Sequence, residues 1–220
     1  MIEAIIFDFD GVITESVGVK ANGFAMLYEP YGNNVVNKVL THHHANGGVS
    51  RYHKFRFYHR EFLGSDLSDD EMEDLGRRFS EFVVERIIEA PYVRGALEFL
   101  KSAHNQYDLF ISTGTPQAEI EMIIRAKGIE GFFKAVFGSP QKKSDHIEVI
   151  MRTHHYSTEQ VVFVGDSVQD KDAANEQRLA FIARLNDGNS PLKNEPHRIS
   201  DLNQLEIALA KMNGSEKEYV

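Results

Sequence analysis

The rhythm of apolar and polar positions changes twice along this chain. Ala4 to Phe7 is a short continuous apolar run, as expected of a strand covered on both faces of a parallel sheet. From Val17 to about Leu40 the apolar groups recur at helical spacing, with a break near Pro30-Tyr31-Gly32. His42-His43-His44 through Gly47-Gly48 reads as a loop, and Ser50 reads as the N-cap of a helix that stops near Gly64. That helix is expected to carry Tyr52, Phe55, His59 and Phe62 along one face. Ser68-Asp69-Asp70-Glu71 is a capping box with acid in the first turn. Behind it Met72, Leu75, Phe79, Phe82, Val83 and Ile87 follow at helical spacing, so residues 15–90 read as all-helical.

From Pro91 onward strands alternate with helices. Helices are predicted over 95–103, 116–127, 143–154, 170–177 and 201–211, and strands over 107–111, 133–137, 161–164 and 179–183. Alternation of this kind implies βαβ units and a parallel sheet. The predicted fold class is α/β: a doubly wound parallel-sheet core formed by residues 1–14 and 91–220, with residues 15–90 inserted after the first strand as an all-helical cap domain. Residues 213–220 are polar and expected to fray.

Composition narrows the function. A chain of 220 residues suits one large domain or two small ones. The formal charge of −9, from 24 basic and 33 acidic residues, argues against nucleic acid or an anionic membrane as a partner. The absence of cysteine excludes disulfides, thiol catalysis and cysteine-ligated metals. The opening residues lack the basic segment of a secretory signal, and no run approaches the roughly 20 apolar residues of a membrane span. A cytoplasmic protein, monomer or homodimer, is expected.

The candidate chemistry lies just past the predicted strands. Asp8-Phe9-Asp10-Gly11 ends the first, where open α/β sheets place their ligand crevice. Ser112-Thr113-Gly114-Thr115-Pro116 ends the second, Lys142-Lys143 follows the third, and Gly165-Asp166-Ser167-Val168-Gln169-Asp170 ends the fourth. Carboxylates, a hydroxyl and a lysine on one sheet edge suit phosphoryl transfer. An aspartate attacks phosphorus, and a second carboxyl two residues on protonates the leaving alkoxide and later deprotonates water. Mg²⁺, hard and oxygen-ligated, offsets the charge between phosphate and carboxylate, with Asp8, Asp166 and a backbone carbonyl near Asp10 as its protein ligands.

Taken together, these motifs resemble those of the haloacid dehalogenase superfamily, specifically its capped, Mg²⁺-dependent phosphatases and β-phosphoglucomutase-like phosphomutases. The resemblance implies Asp8 as nucleophile and Asp10 as general acid and base. It implies a metal site drawn from Asp8, Asp10, Asp166 and Asp170, and catalytic roles for a hydroxyl and a lysine. The hydroxyl is Thr113, with Ser112 as the alternative; the lysine is Lys143, with Lys142 as the alternative. Gly11, Gly114 and Arg51 are placed at the substrate. After the fourth motif, Gln177-Arg178 stands where relatives often carry Ala-Gly.

The implied activity is hydrolysis of a small phosphorylated metabolite, of the phosphoglycolate or sugar phosphate type, through an aspartyl-phosphate. The alternatives are a phosphomutase sharing every motif, a receiver-like signalling module, and a non-catalytic binding relative. Asp10 argues against the metal-free dehalogenase branch. The Schiff-base branch would need a buried cap lysine, and nothing in the sequence marks Lys20 or Lys54 as buried. The basic and aromatic residues interleaved from Arg51 to Arg60 fit an amphipathic cap helix better than nucleic-acid binding. Three consecutive histidines cannot all face one ion from a regular helix, so they read as a solvated or substrate-facing loop.

Overall fold

The structure, a computed structural model, describes residues 1–186 and 190–214; of the terminal stretch expected to fray, 215–220 lie outside the described residues. Strand β1 (Ala4–Phe7) is buried along its whole length. After it come helices α1 (Val17–Tyr28), α2 (Asn33–Ala45), α3 (Arg51–Tyr58), α4 (Asp69–Glu89) and α5 (Ala96–Ala103). The chain then runs through β2 (Asp108–Pro116), α6 (Gln117–Ala126), β3 (Ala135–Ser139), α7 (Lys143–His154), β4 (Val161–Gly165), α8 (Val168–Glu176), β5 (Ala180–Arg184), β6 (Arg198–Ile199) and α9 (Leu205–Met212).

Among the described residues six strands form one sheet in the order β3-β2-β1-β4-β5-β6. Every neighbouring pair is parallel. Ile5 aligns with Leu109 on one side and Val162 on the other, and Ile6 with Phe110 and Phe163. Successive side chains of a strand point to opposite faces. Ile5, Phe7, Leu109, Ile111 and Val164 therefore pack with Phe99, Ile120, Ile123 and Leu209 of α5, α6 and α9. Ala4, Ile6, Phe110 and Phe163 pack with Ile147, Ile150, Ala173 and Ala174 of α7 and α8. Helices thus cover both faces, which is the doubly wound α/β architecture expected. Strand order reverses at β1, so the carboxyl ends of β1 and β4 border the crevice of such a sheet. The two-residue β6 carries too short a pattern to be read from sequence; pairing with the edge of β5 creates it.

The helical segment between β1 and α5 leaves and rejoins the sheet layer at adjacent points. Glu15 N donates to Pro91 O at 2.9 Å and Val93 N to Ile13 O at 3.0 Å. Within it α4 starts at the predicted capping box: Glu71 N donates to Ser68 Oγ at 3.3 Å, and Ser68 N donates to the Glu71 carboxylate at 2.9 Å. Phe24 of α1 packs against Phe79 of α4 at 4.6 Å between ring centroids and against Phe55 of α3 at 5.8 Å.

Two local expectations change. His42, His43 and His44 form the last turn of α2 rather than a loop, because His43 packs its ring on Phe24 at 4.8 Å and carries the helix inward. The buried face of α3 is Arg51, Lys54, Phe55 and Tyr58, while Tyr52 is exposed. The expected stripe ignored that long charged side chains bury when partners await them inside.

Candidate active site

Asp8 follows β1, and its amide donates to Val164 O of β4 at 2.9 Å. One carboxylate oxygen accepts from Phe9 N at 2.6 Å and the other from Lys143 Nζ at 2.9 Å. Asp166 follows β4, and Asp170 lies in the first turn of α8. One oxygen from each of Asp8, Asp166 and Asp170 lies within 4.8 Å of the others. Gly11 makes this possible. It turns the chain at φ +77°, and any Cβ there would collide with the Asp166 carboxylate. Gly11 thus lies behind the carboxylates and lets them meet. Arg184 Nη1 donates to Gly11 O at 3.1 Å, and Asn186 Nδ2 donates to Asp166 Oδ2 at 2.7 Å.

The two ambiguous sequence positions separate clearly. Lys143, the first residue of α7, is buried between Asp8 and Asp170, whereas Lys142 is the exposed N-cap. Thr113 faces the cavity, whereas Ser112 sits behind it and bonds His146 Nδ1 at 2.9 Å. The strand's two-residue period is the reason that only one of two adjacent hydroxyls faces the site.

Both Asp170 oxygens are committed. One accepts from Lys143; the other accepts from Ser167 N at 3.0 Å and Ser167 Oγ at 2.6 Å. Asp10 points elsewhere. Its carboxylate accepts from Ser16 Oγ at 2.6 Å, Thr115 Oγ1 at 3.2 Å and Lys20 Nζ, so the side chain stands outside the three-carboxylate group in which the sequence placed it.

Burial pushes the Asp8 carboxyl up to about 6, with Lys143 opposing and Asp170 and Asp10 adding to the rise. Burial likewise raises Asp166 well above the usual carboxylate range, and its neighbours Asp8 and Asp170 push the same way. At Asp10 burial also favours the neutral acid, but Lys20 and the hydroxyls of Ser16 and Thr115 outweigh it and hold the carboxyl below its ordinary value. Burial works against the Lys143 ammonium, yet Asp170 and Asp8 keep it protonated far into the alkaline range. Three clustered carboxylates against one ammonium leave negative charge uncompensated. A hard, oxygen-preferring divalent cation fits that deficit and that donor set.

A cavity of about 380 Å³ lies over these groups, walled on the opposite side by Lys20, His43, Gly48, Arg51 and Lys54 of the helical segment. Two glycines set its closure. A Cβ on Gly114 would lie 2.9 Å from Gly48 O, and one on Gly48 would lie 2.9 Å from Ser167 Oγ. Gly114→Ala is therefore expected to hold the Gly47–Gly48 turn off the strand ends. A loss of roughly 10- to 100-fold in kcat/KM should follow, since misplacement on the order of 1 Å has that scale of effect. Steady-state kinetics check this, and unchanged kcat/KM would show that the close approach does not matter.

Arg51 reaches the cavity wall, but its fork is occupied. Nη1 and Nη2 donate to Glu119 at 3.0 and 2.6 Å, Nη1 donates to Ser80 at 2.9 Å, and the guanidinium lies 4.5 Å from the Phe79 ring centroid. A buried guanidinium needs a carboxylate, and Glu119 in the first turn of α6 supplies one. Expected at the substrate, Arg51 instead ties α3 to α6 in this structure.

His43, read only as part of a solvated or substrate-facing loop, and Lys20 and Lys54, which nothing in the sequence marked as buried, all line the cavity, and Lys54 is a buried lysine of the helical segment. The one available signal was that Arg51, Lys54 and Tyr58 share a helical face, at spacings of three and four.

A model of haloacid dehalogenase-like hydrolases matches residues 5–184. A phosphorylated carbohydrates phosphatase of Thermotoga maritima is 27% identical over 208 residues, covering 87% of this chain and 90% of its own. The crystal structure of a β-phosphoglucomutase from Clostridium difficile superposes with a TM-score of 0.80 at 21% identity, covering 97% of this chain and 98% of that one. A predicted phosphoglycolate phosphatase from Haemophilus somnus superposes with a TM-score of 0.74 at 18% identity, covering 94% and 98%.

Proposed function

This chain belongs to the haloacid dehalogenase-like hydrolases, and within that family of phosphatases and related phosphomutases we propose that it is a Mg²⁺-dependent phosphatase of a small phosphorylated metabolite. The observation that carries the proposal is the meeting of Asp8, Asp166 and Asp170 around Lys143 at the β1–β4 edge, under a cavity of substrate size. Residues 15–90 act as the cap over a core of 1–14 and 91–220. The 27%-identical relative, a phosphatase of phosphorylated carbohydrates, supports a substrate of the sugar phosphate or phosphoglycolate type. Among the described residues no helix is long and apolar enough to cross a membrane, and we place the enzyme in the cytoplasm, as a monomer or homodimer.

In this mechanism Asp8 and Asp166, with a backbone carbonyl near Asp10, would hold Mg²⁺, while Asp170 stands behind them. When bound, Mg²⁺ offsets the repulsion between the phosphate and the Asp8 carboxylate. Asp8 attacks phosphorus, forming the P–O bond of an aspartyl-phosphate as the ester oxygen departs. The incoming phosphate adds negative charge beside Asp10 and favours its protonated form, which gives its proton to the leaving oxygen. Asp10 then takes a proton from water, the hydroxide attacks phosphorus, and the bond to Asp8 breaks to release phosphate. Lys143 and Thr113 stabilise the phosphoryl oxygens.

Phosphate release from a panel of small esters, with Mg²⁺ and with EDTA, tests the proposal. Release that depends on Mg²⁺ is expected. Equal release in EDTA would overturn the metal assignment. No release from any ester by folded protein would overturn the phosphatase, and isomerisation that depends on an added bisphosphate would then establish the β-phosphoglucomutase-like alternative.

A further inference from the structure

The cavity wall opposite the carboxylates carries one lysine without an acidic partner among the described residues. Lys20 is paired with Asp10, Arg51 with Glu119, and Lys143 with Asp8 and Asp170. Lys54 is only 2% exposed, and its hydrogen bond is to His43 Nδ1 at 2.9 Å. His43 is itself only 3% exposed, and its Nε2 has no partner among the described residues. Both residues line the cavity, beside Phe24, whose ring centroid lies 5.4 Å from Lys54 Nζ.

An ammonium donates and never accepts, so with Lys54 donating to Nδ1 the imidazole carries its proton on Nε2. The pair then holds N–H donors inside the cavity wall that no acceptor among the described residues takes up. A buried cation and a buried donor left unmatched are both unfavourable, and an anion entering the cavity relieves both. The surroundings agree. Burial, with Lys20 adding to it and Asp10 opposing, pushes Lys54 down to about 7. Burial and the neighbouring Lys54, His44, Lys20 and His42 push His43 down to about 2, so the ring stays neutral. The cavity therefore has two poles, acidic at the strand ends and short of an anion at the helical wall.

We propose that Lys54 and His43 form a seat for a second anionic group, a carboxylate or a second phosphate, on the alcohol portion of the phosphate ester. This rests on the phosphatase reading and narrows it, from phosphorylated metabolites in general to phosphorylated acids or bisphosphates over neutral phosphorylated polyols.

The test compares 2-phosphoglycolate, a hexose bisphosphate and glycerol phosphate as substrates of the Mg²⁺-loaded enzyme. The wild type should favour one of the two anionic esters over glycerol phosphate by about 10- to 100-fold in kcat/KM, the scale of a hydrogen bond to a charged group. Whichever is favoured identifies carboxylate or phosphate as the occupant. Lys54→Met should erase most of that preference, chiefly through KM, and Lys54→Arg should keep part of it. A second measurement does not need turnover: calorimetric binding of 2-phosphoglycolate, the bisphosphate and glycerol phosphate to Asp8→Asn, with and without Lys54→Met. The added substitution should weaken the favoured anionic ligand about 10- to 100-fold more than glycerol phosphate. A wild type that treats the three esters alike overturns the seat, as does a Lys54→Met that weakens all three in proportion. Failure of the phosphatase reading looks different: no ester is turned over, while the binding comparison still decides the seat.

Discussion

Asp8→Asn is expected to abolish phosphate release while making the metal-free protein more resistant to heat. The kinetic half follows from chemistry. An amide does not attack phosphorus, and loss of a covalent nucleophile lowers kcat by something on the order of 10⁵-fold. The stability half follows from electrostatics. Burial raises the Asp8 carboxyl from its ordinary 3.8 to about 6. Between those values the folded chain holds a proton that the unfolded chain has released. Stability therefore falls as pH rises through this interval and stays lowered above it. Asparagine carries no charge and escapes the penalty, while its carbonyl can still accept from Phe9 N. In EDTA the variant should melt roughly 5 °C above the wild type at pH 7.5, with the difference vanishing near pH 4. Saturating Mg²⁺ should reverse the order, because the wild type binds the ion better. Measurable turnover by Asp8→Asn, or a melting difference independent of pH, would sink the assignment of Asp8.

Lys143→Met should be the most damaging single change to the folded state among these residues. Its ammonium lies 2.9 Å from Asp8 Oδ2 and also pairs with Asp170, which has no solvent exposure. Removing one side of a buried ion pair costs about 3–5 kcal/mol, because the remaining charges are left without the ammonium that compensates them. A fall in melting temperature of roughly 10 °C at pH 7.5 is expected for a chain of this length. The deficit should shrink as pH falls toward 5, since Lys143 holds the Asp8 carboxyl down and without it that group protonates more readily. Mg²⁺ should recover part of the stability. Activity should not return with it, because the phosphoryl oxygens lose a cationic donor, a loss of about 10²- to 10³-fold in kcat. A variant that melts within 2 °C of the wild type would show that the lysine does not balance the carboxylates.

Asp8, Asp166 and Asp170 were legible in the sequence because they follow closely on strand ends, and strand ends are readable. A continuous apolar run followed by acid is a local signal, and so is the capping box at Ser68. The order of the motifs along alternating strands and helices places them on one sheet edge. Adjacent candidates were harder. Ser112 and Thr113 look alike in the chain, and only strand register turns Thr113 to the cavity and Ser112 to His146. Arg51 was legible as a residue of the helical segment 15–90 but not as the partner of Glu119, 68 positions away.

The sequence by itself determined the α/β class, the helical character of 15–90 and the four groups of polar residues at strand ends. Apolar periodicity and capping are properties of neighbouring residues, so they can be read from one chain. Only the tertiary structure decided which charges are buried together. It turned Asp10 toward Lys20 and away from Asp166, locked Lys143 between two carboxylates, and closed Lys54 and His43 into the cavity wall. Burial and pairing depend on residues far apart in the chain, and desolvation, which sets the charge state of each group, is absent until those residues meet.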